Sequence, residues 1–395
     1  MPPVDCKSHR GTKISVILLG SALCFVMMAY FVFGDSNDEQ GLRNLRMISI
    51  LFRHGARNPT EFYPNDPHVA HDWQAGPGAL TRVHCRPTIW ERICACATIG
   101  YCPPIASTHN SRFMCSARPR SGVMSAQSVL AGFMPPLENN NVLPIPWQPV
   151  AINTLARSDD ILLAQKKPCL KYDTILQKLY KNPPKDLQRL NEENKELYKL
   201  LTKNTGKNIS TVLDVEMLYN TLKTEEEANL VLPDWTENIC PESMKPLAER
   251  SYTLHRNESH EADQRWCVSH RRSQENAEQR RKNLNPDRKI FLYAGHDVTM
   301  VNVMNSLNIL DQTANLPDYA AALAFELHHS KSFSDDDFEV KLVYYYNSED
   351  KFPKELIIPN CDAPCSLTQF AKSLNALLLD NYDETCENPT PDCKA

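Results

Sequence analysis

Glycine is scarce in this sequence, with 12 residues in a chain of 395. Together with 28 prolines, this composition excludes a collagen-like fibre and an assembly joined by glycine-rich linkers. The sequence has no internal repeat with a period of about 20 to 50 residues, which excludes repeat architectures. Since 42% of the residues are hydrophobic and 23% are charged, the chain can bury one large core or two modest ones.

An excess of positive charge is also missing. Lys and Arg number 43 against 48 Asp and Glu, which gives a formal net charge of −5, and no long basic stripe runs along the chain. Proteins that bind nucleic acids need such positive charge, because they must match the charge of the phosphate backbone. We therefore expect no nucleic-acid partner.

One long uncharged segment lies near the N-terminus. Residues 14–34 comprise 21 residues without a charge, about the length that crosses a bilayer core as a helix. Basic residues precede this segment and acidic residues follow it. This pattern predicts a type II membrane anchor, with residues 1–13 cytosolic, residues 35–44 a linker, and the rest of the chain lumenal or extracellular. The alternative is a cleaved signal peptide, which would make the protein secreted or lysosomal.

Cysteine is abundant, with 14 residues, which is unusual for a cytosolic protein. The count predicts an oxidising compartment in which disulfides persist. Cys361 and Cys365 are close enough in the sequence to form a short disulfide loop. Two Asn-X-Ser sequons, at Asn208 and Asn257, predict glycosylation on the same side of the membrane.

Short apolar runs predict the strands of an α/β fold. Residues 47–52 and 289–294 are each suited to a strand buried on both faces. Residues 321–327 and 338–346 form two more strands around a polar turn, and residues 367–378 have helical spacing. We expect a mostly parallel sheet flanked by helices.

The middle of the chain has a different composition. It is rich in Leu, Lys, Glu and Asn, with leucines near helical spacing. We therefore predict an inserted, smaller helical cap at residues 151–285. The two parts of the α/β domain would then be residues 45–150 and 286–395.

Chemically distinctive residues follow the predicted strands at residues 47–52 and 289–294. In an open α/β sheet such strand ends meet at one edge, where ligands bind. The second motif also begins a helix, with Asp297 suited to its N-cap. The motifs are Arg53-His54-Gly55-Ala56-Arg57-Asn58-Pro59 and Gly295-His296-Asp297.

These residue types suit phosphoryl chemistry. The guanidinium groups of Arg53 and Arg57 match the oxygens of a phosphate, and a neutral imidazole at His54 can attack phosphorus to give a phosphohistidine. His296 and the positive end of the following helix can bind phosphoryl oxygens, while Asp297 can protonate the leaving alkoxide. This scheme needs no metal and no cofactor.

With these motifs the chain resembles the histidine acid phosphatases, the acid branch of the histidine phosphatase superfamily. The RHGxRxP signature of that family stands at residues 53–59, and its HD element stands at His296-Asp297. The similarity extends over about three quarters of the lumenal part. Further matching segments are residues 62–66, Trp73, 76–81, 124–127, 131–133, 147–149 and 232–235.

The resemblance implies a phosphoglycerate-mutase-like α/β domain with a smaller helical domain, and hydrolysis of phosphate monoesters at acid pH. It implies that His54 is the nucleophile, that Asp297 is the proton donor, and that Arg53, Arg57 and His296 bind phosphate. The substrate would be a small-molecule phosphate monoester or a phosphoprotein, and relatives often pair as homodimers. The resemblance also implies two disulfides, Cys361–Cys365 and Cys169–Cys386.

Two stretches depart from the family pattern. The family has a third phosphate-binding arginine before the segment at residues 124–126, and here Arg120 is the nearest candidate, one position too far upstream, with Arg118 a weaker one. Residues 82–120 and 256–275 otherwise match nothing in the family. Our hypothesis is that both stretches arise from an altered reading frame or splice pattern. Zinc binding by the cysteines and histidines between residues 84 and 109 is an alternative, but their spacing fits no common zinc site.

Two functional classes remain at this stage. The first is an active acid phosphatase, with a phytase-like or lysophosphatidate-directed phosphatase as the nearest alternative within the enzymes. The second is a catalytically impaired relative that acts as a secreted or surface binding protein. The third arginine separates them, because loss of one such contact typically lowers the rate by about 10²-fold or more.

Overall fold

The computed structural model describes most of the chain after the N-terminal segment. The described residues are 44–73, 76–81, 111–116, 120–133, 147–253, 277, 289–313, 316–330, 333, 338–347, 353–375 and 381–387. The predicted anchor at residues 14–34 therefore lies outside the described residues. Among the helices that are described, none is both long enough and apolar enough to cross a membrane.

A sheet of seven strands forms the centre of the described structure. The strands are β1 (Leu45–Arg53), β2 (Ser111–Ser116), β3 (Asn153–Leu155), β4 (Ile290–Gly295), β5 (Ala322–His328), β6 (Glu339–Tyr345) and β7 (Lys354–Leu356). Their order in the sheet is β3-β2-β4-β1-β5-β6-β7. Neighbours among β3, β2, β4 and β1 are parallel, whereas β1–β5, β5–β6 and β6–β7 are antiparallel. The predicted sheet flanked by helices is confirmed. The sheet has more antiparallel pairs than expected. The connections from β5 to β6 and from β6 to β7 are too short for a parallel crossover, so these strands pair antiparallel.

Side chains of β1 alternate between two cores, as the period of a strand requires. Met47 and Leu51 belong to the larger core, whereas Ile48, Ile50 and Phe52 belong to the smaller one. The larger core is covered by α7 (Asp297–Ser306) and α8 (Leu367–Leu374), and the smaller by α1 (Arg120–Phe133). Helices therefore cover both faces of the sheet, and this explains why the strands contain nearly continuous apolar runs.

The middle of the chain is helical, as its composition predicts. Five helices pack around a hydrophobic cluster of their own, which includes Leu201, Val215 and Leu222. Tyr63, from the segment after β1, joins this cluster and so connects it to the sheet. The helices are α2 (Leu170–Lys181), α3 (Lys185–Glu193), α4 (Lys195–Thr205), α5 (Val212–Glu227) and α6 (Lys245–Tyr252).

The described residues contain two disulfides, and they are the two pairs that the family resemblance implies. Cys361–Cys365 closes a loop with a sequence separation of 4 residues, and Cys169–Cys386 one of 217 residues. Cys169 is the N-cap of α2, while Cys386 lies in α9 (Tyr382–Glu387). The second disulfide therefore ties the C-terminal helix to the helical region.

We predict that the long-range disulfide is the more important one for stability. Replacing both Cys169 and Cys386 with Ser should lower the free energy of unfolding by about 2–5 kcal/mol, because a long loop in the unfolded chain is no longer constrained. Denaturant unfolding would measure this change. The matched control replaces Cys361 and Cys365 with Ser, which should lower the free energy of unfolding by a smaller amount. Equal decreases for the two double variants would contradict the prediction.

Candidate active site

The pairing of β1 with β4 brings the two motifs together. Arg53 is opposite Gly295 in the parallel register, and the His54 N–H donates to the Gly295 carbonyl at 3.3 Å. The rings of His54 and His296 consequently lie edge to face, with 5.5 Å between their centroids. The expected meeting of the two strand ends is therefore confirmed.

His54 is buried, and its ring is held in one orientation. Its Nδ1 lies 2.8 Å from the Gly55 carbonyl oxygen. Since a carbonyl can only accept a hydrogen bond, we assign the proton to Nδ1, which leaves the lone pair on Nε2. Burial, followed by the charges of Arg53, His296 and Arg57, lowers the pKa of His54 well below its ordinary value. His54 therefore stays neutral at a lower pH than an exposed histidine does.

Arg53 is buried beside the two histidines. Its guanidinium group pairs with Asp297 Oδ2 at 2.8 Å, donates to the Pro317 carbonyl at 2.9 Å, and lies 4.3 Å from the centre of the Tyr319 ring. Burial opposes its charge, but Asp297 and then Tyr319 hold the pKa of Arg53 above its ordinary value. A fixed cation therefore lies at this edge of the sheet.

Arg57 lies at the end of the first motif, where it forms a β-bridge with Leu80. Among the described residues, its Nε has no hydrogen-bond partner, and its side chain makes one long hydrogen bond of 3.5 Å, to the Asn58 carbonyl. Much of its donor capacity is therefore available to an anion. The loop itself is anchored, because the Gly55 N–H donates to Ser125 Oγ of α1 at 3.0 Å.

The second motif starts α7 one residue earlier than the sequence predicts. His296, with extended backbone angles, is the N-cap, and Asp297 is the first helical residue. The His296 N–H donates to Thr299 Oγ1 at 3.3 Å, and the Thr299 hydroxyl donates to the Leu163 carbonyl at 2.7 Å. The expectation that Asp297 is the N-cap is wrong, because its carboxylate is directed to Arg53 and to its neighbour Val298.

Asp297 faces three cationic or titratable groups. Burial raises the pKa of its carboxyl group, but Arg53, His54 and His296 together outweigh burial and hold the pKa well below the ordinary range. In the absence of an anion, Asp297 is therefore a carboxylate paired with Arg53.

The remaining site predictions have different outcomes. Arg120 is the first residue of α1, just beyond the C-terminal end of β2 at the same sheet edge, but its side chain lies outside the described part. Asn208 is exposed on the surface, and Asn257 lies outside the described residues, as do all residues of the zinc alternative. Within the described ranges, no group of three or more His, Cys, Asp or Glu residues is arranged to hold a metal ion.

The structure adds site residues that sequence reasoning missed. Tyr319 stacks on Arg53, and Lys223 of α5 pairs with Asp318 at 2.9 Å. Tyr252 of α6 donates a hydrogen bond of 3.4 Å to Asp297 Oδ2. These residues belong to no local motif, and only the fold brings them to the strand ends, so the sequence carried no signal for them.

Comparison with known proteins identifies relatives over most of the chain. The chain is 27% identical over 360 residues to lysosomal acid phosphatase from Rattus norvegicus, covering 87% of this chain and 81% of the relative. It is 26% identical over 372 residues to a venom acid phosphatase from Apis mellifera, covering 87% and 88%. It is 25% identical over 366 residues to prostatic acid phosphatase from Bos taurus, covering 87% and 88%.

Solved structures share the fold. A phytase from Hafnia alvei in complex with myo-inositol hexakis sulphate superimposes with a TM-score of 0.57 at 16% identity, over 88% of this chain and 99% of the other. A multiple inositol polyphosphate phosphatase from Bifidobacterium longum gives a TM-score of 0.52 at 11% identity, over 86% and 94%. At these identities the likeness concerns the fold alone.

A family model completes the comparison. The model described as the histidine phosphatase superfamily (branch 2) matches residues 122–345, a range that includes His296 and Asp297 and begins just after the first departing stretch. This range is more than half of the chain. The chain therefore belongs to branch 2 of the histidine phosphatase superfamily.

Proposed function

We propose that this protein is an acid phosphatase that hydrolyses phosphate monoesters through a phosphohistidine formed on His54. The observation that carries the proposal is a buried, neutral imidazole with its Nε2 lone pair free, held against Arg53 and His296. Such a nucleophile beside fixed cations is suited to attack on an anionic phosphorus centre.

The reaction has two steps. In the first, His54 Nε2 forms a bond to phosphorus while the ester P–O bond breaks, and Asp297 gives a proton to the leaving oxygen. In the second, water attacks the phosphohistidine and loses its proton to the Asp297 carboxylate, which releases inorganic phosphate and restores both groups. Arg53, Arg57 and His296 bind the phosphoryl oxygens in both steps, and Arg120 is the candidate for a further contact.

Phosphate must compete with Asp297 for the guanidinium group of Arg53. When the phosphoryl oxygens bind this cation, Asp297 loses the partner that stabilises its charge and gains a neighbouring anion. Both changes raise its pKa, and protonation then becomes favourable in acid. This coupling supports an acidic optimum.

The same observations weigh against a catalytically impaired binding protein, because the nucleophile and the candidate acid are both present and lie at the same edge of the sheet. We propose that the helical region within residues 151–285 is a cap that shapes the substrate pocket. A small-molecule phosphate monoester and a phosphoprotein both fit the chemistry of the site. Phytase-like and lysophosphatidate-directed activities are narrower versions of the same function.

The proposed location is the lumenal or extracellular side of a membrane. The lysosomal and venom enzymes among the relatives support it, as do the two disulfides. Anchoring through residues 14–34, glycosylation at Asn208 and Asn257, and pairing as a homodimer are further parts of the proposal.

The first prediction from this proposal concerns the nucleophile. His54→Ala should lower phosphate release from p-nitrophenyl phosphate at pH 5 by at least about 10³-fold, because no phosphohistidine can form. His71→Ala, which removes an exposed imidazole, is the matched control and should retain activity. Full activity in His54→Ala would contradict the mechanism. An inactive wild-type protein that is demonstrably folded would favour the binding-protein alternative.

The second prediction concerns pH. Because the pKa of His54 is lowered, its neutral form persists below pH 6.5. On the acid side of the profile, kcat/KM should therefore fall only when the pH falls through that lowered pKa. Arg57→Gln removes one of the charges that lower this pKa. It should therefore move the acid limb to higher pH and reduce kcat/KM by about 10²-fold.

The pH profile of kcat/KM for both forms measures this shift. Arg189→Gln, at an exposed position on α3, is the charge-matched control and should leave the acid limb in place. A flat wild-type profile from about pH 4 to 8 would contradict the roles of His54 and Asp297.

The third prediction tests the candidate arginine. If Arg120 contacts the phosphate, Arg120→Ala should lower kcat/KM by about 10²-fold, whereas Arg118→Ala should have little effect. Steady-state kinetics with p-nitrophenyl phosphate compares the two variants. Equal effects, or a larger effect at Arg118, would remove Arg120 from the site.

A further inference from the structure

The two oxygens of the Asp297 carboxylate have different surroundings. Oδ1 accepts the backbone N–H of Val298 at 2.7 Å, while Oδ2 contacts Arg53 at 2.8 Å and the Tyr252 hydroxyl at 3.4 Å. Oδ2 therefore gains room for a proton when a bound phosphate takes Arg53 away from it. Arg53 cannot supply it, because its pKa is raised and it keeps its charge.

Tyr252 is the second partner of Oδ2, and it comes from the helical region. Tyr252 ends α6, yet its ring packs against the larger core of the sheet. The Tyr252 hydroxyl also lies close enough to the carboxyl group of Glu216 on α5 to lower the pKa of that group. Glu216, Tyr252 and Asp297 are thus neighbours in series, and the single hydroxyl proton of Tyr252 is donated to Asp297 Oδ2.

Glu216 is held in place by other polar groups. Ser251 Oγ lies 2.5 Å from its Oε2, and the Asn220 side-chain amide donates to its Oε1 at 3.3 Å. Burial, and to a smaller extent the negative charge of Asp297, raises the pKa of Glu216 above its ordinary value. Glu216 therefore keeps its proton at a higher pH than a solvent-exposed glutamate does.

We propose that Tyr252 is a positioning residue that orients Asp297 Oδ2 toward the leaving group and connects it to Glu216 as a source of protons. The inference rests on the proposed phosphatase function and deepens it. The Tyr252 proton passes to Asp297 Oδ2 while the Glu216 proton passes to the Tyr252 oxygen, so Asp297 becomes a carboxylic acid and Glu216 a carboxylate. Solvent then returns a proton to Glu216.

The pH dependence of this relay follows from the groups around it. Asp297 faces Arg53 and His54 at the end of β1 and His296 at the end of β4, and Glu216 faces Asp297 and Tyr252. Glu216 carries its proton only below its pKa. Turnover of substrates that need a proton on the leaving group should accordingly fall as the pH rises through that pKa.

Leaving-group dependence tests the proposal. An alkyl alkoxide is strongly basic and needs protonation, whereas p-nitrophenolate leaves with little help. Tyr252→Phe in the full-length protein should therefore lower kcat for glycerol 2-phosphate by about 10-fold or more and kcat for p-nitrophenyl phosphate by less than about 3-fold. Tyr198→Phe, which removes another hydrogen-bonded hydroxyl in the helical region, is the matched control and should change neither.

Glu216→Gln is the second variant, because it preserves the shape of the side chain but cannot supply a proton. It should lower kcat for glycerol 2-phosphate and remove the descending limb of its pH profile, with the KM of both substrates nearly unchanged. Equal losses on both substrates, or none, would overturn the role of Tyr252 and Glu216. If the His54→Ala variant instead keeps the activity of the wild-type protein, the proposed function itself is overturned.

Discussion

The register between β1 and β4 is the constraint on which the site depends. Because Arg53 lies opposite Gly295, the residue after each strand end meets its counterpart, and His54 lies against His296. A shift of one residue in either strand would turn its alternating side chains to the other face. The two apolar cores that hold β1 between them therefore fix the geometry of the catalytic groups as well as the stability of the sheet.

Electrostatics at this edge join the sheet to the helical region. Arg53 is buried and Asp297 is partly exposed, so their ion pair removes charge from water at a cost in free energy. Lys223 of α5 pairs with Asp318, and this contact fixes the loop that carries Tyr319 over Arg53. Side chains of α5 and α6, Lys223 and Tyr252, thus reach the edge of the sheet at which Arg53 and Asp297 lie.

The sequence predicts the parts of the fold that local patterns encode. The apolar runs locate β1, β4, β5 and β6, and the two motifs identify the groups that meet at the sheet edge. The sequence predicts the N-cap of α7 at Asp297, one residue after its observed position at His296. Asp is a favourable N-cap residue by local preference, but the contact of the Asp297 carboxylate with Arg53 directs that side chain elsewhere. Tyr252 and Glu216 could not be predicted, since their approach to Asp297 depends on how α5 and α6 pack.

The disulfide between Cys169 and Cys386 encloses all of the helical region and most of the sheet. A protease that cuts the backbone once between these cysteines therefore leaves two fragments joined by a covalent bond. Since the noncovalent cores also hold both fragments, a nicked molecule can keep its fold in a degradative environment. Separating the fragments therefore needs a second event, either another cleavage of the backbone or reduction of the disulfide.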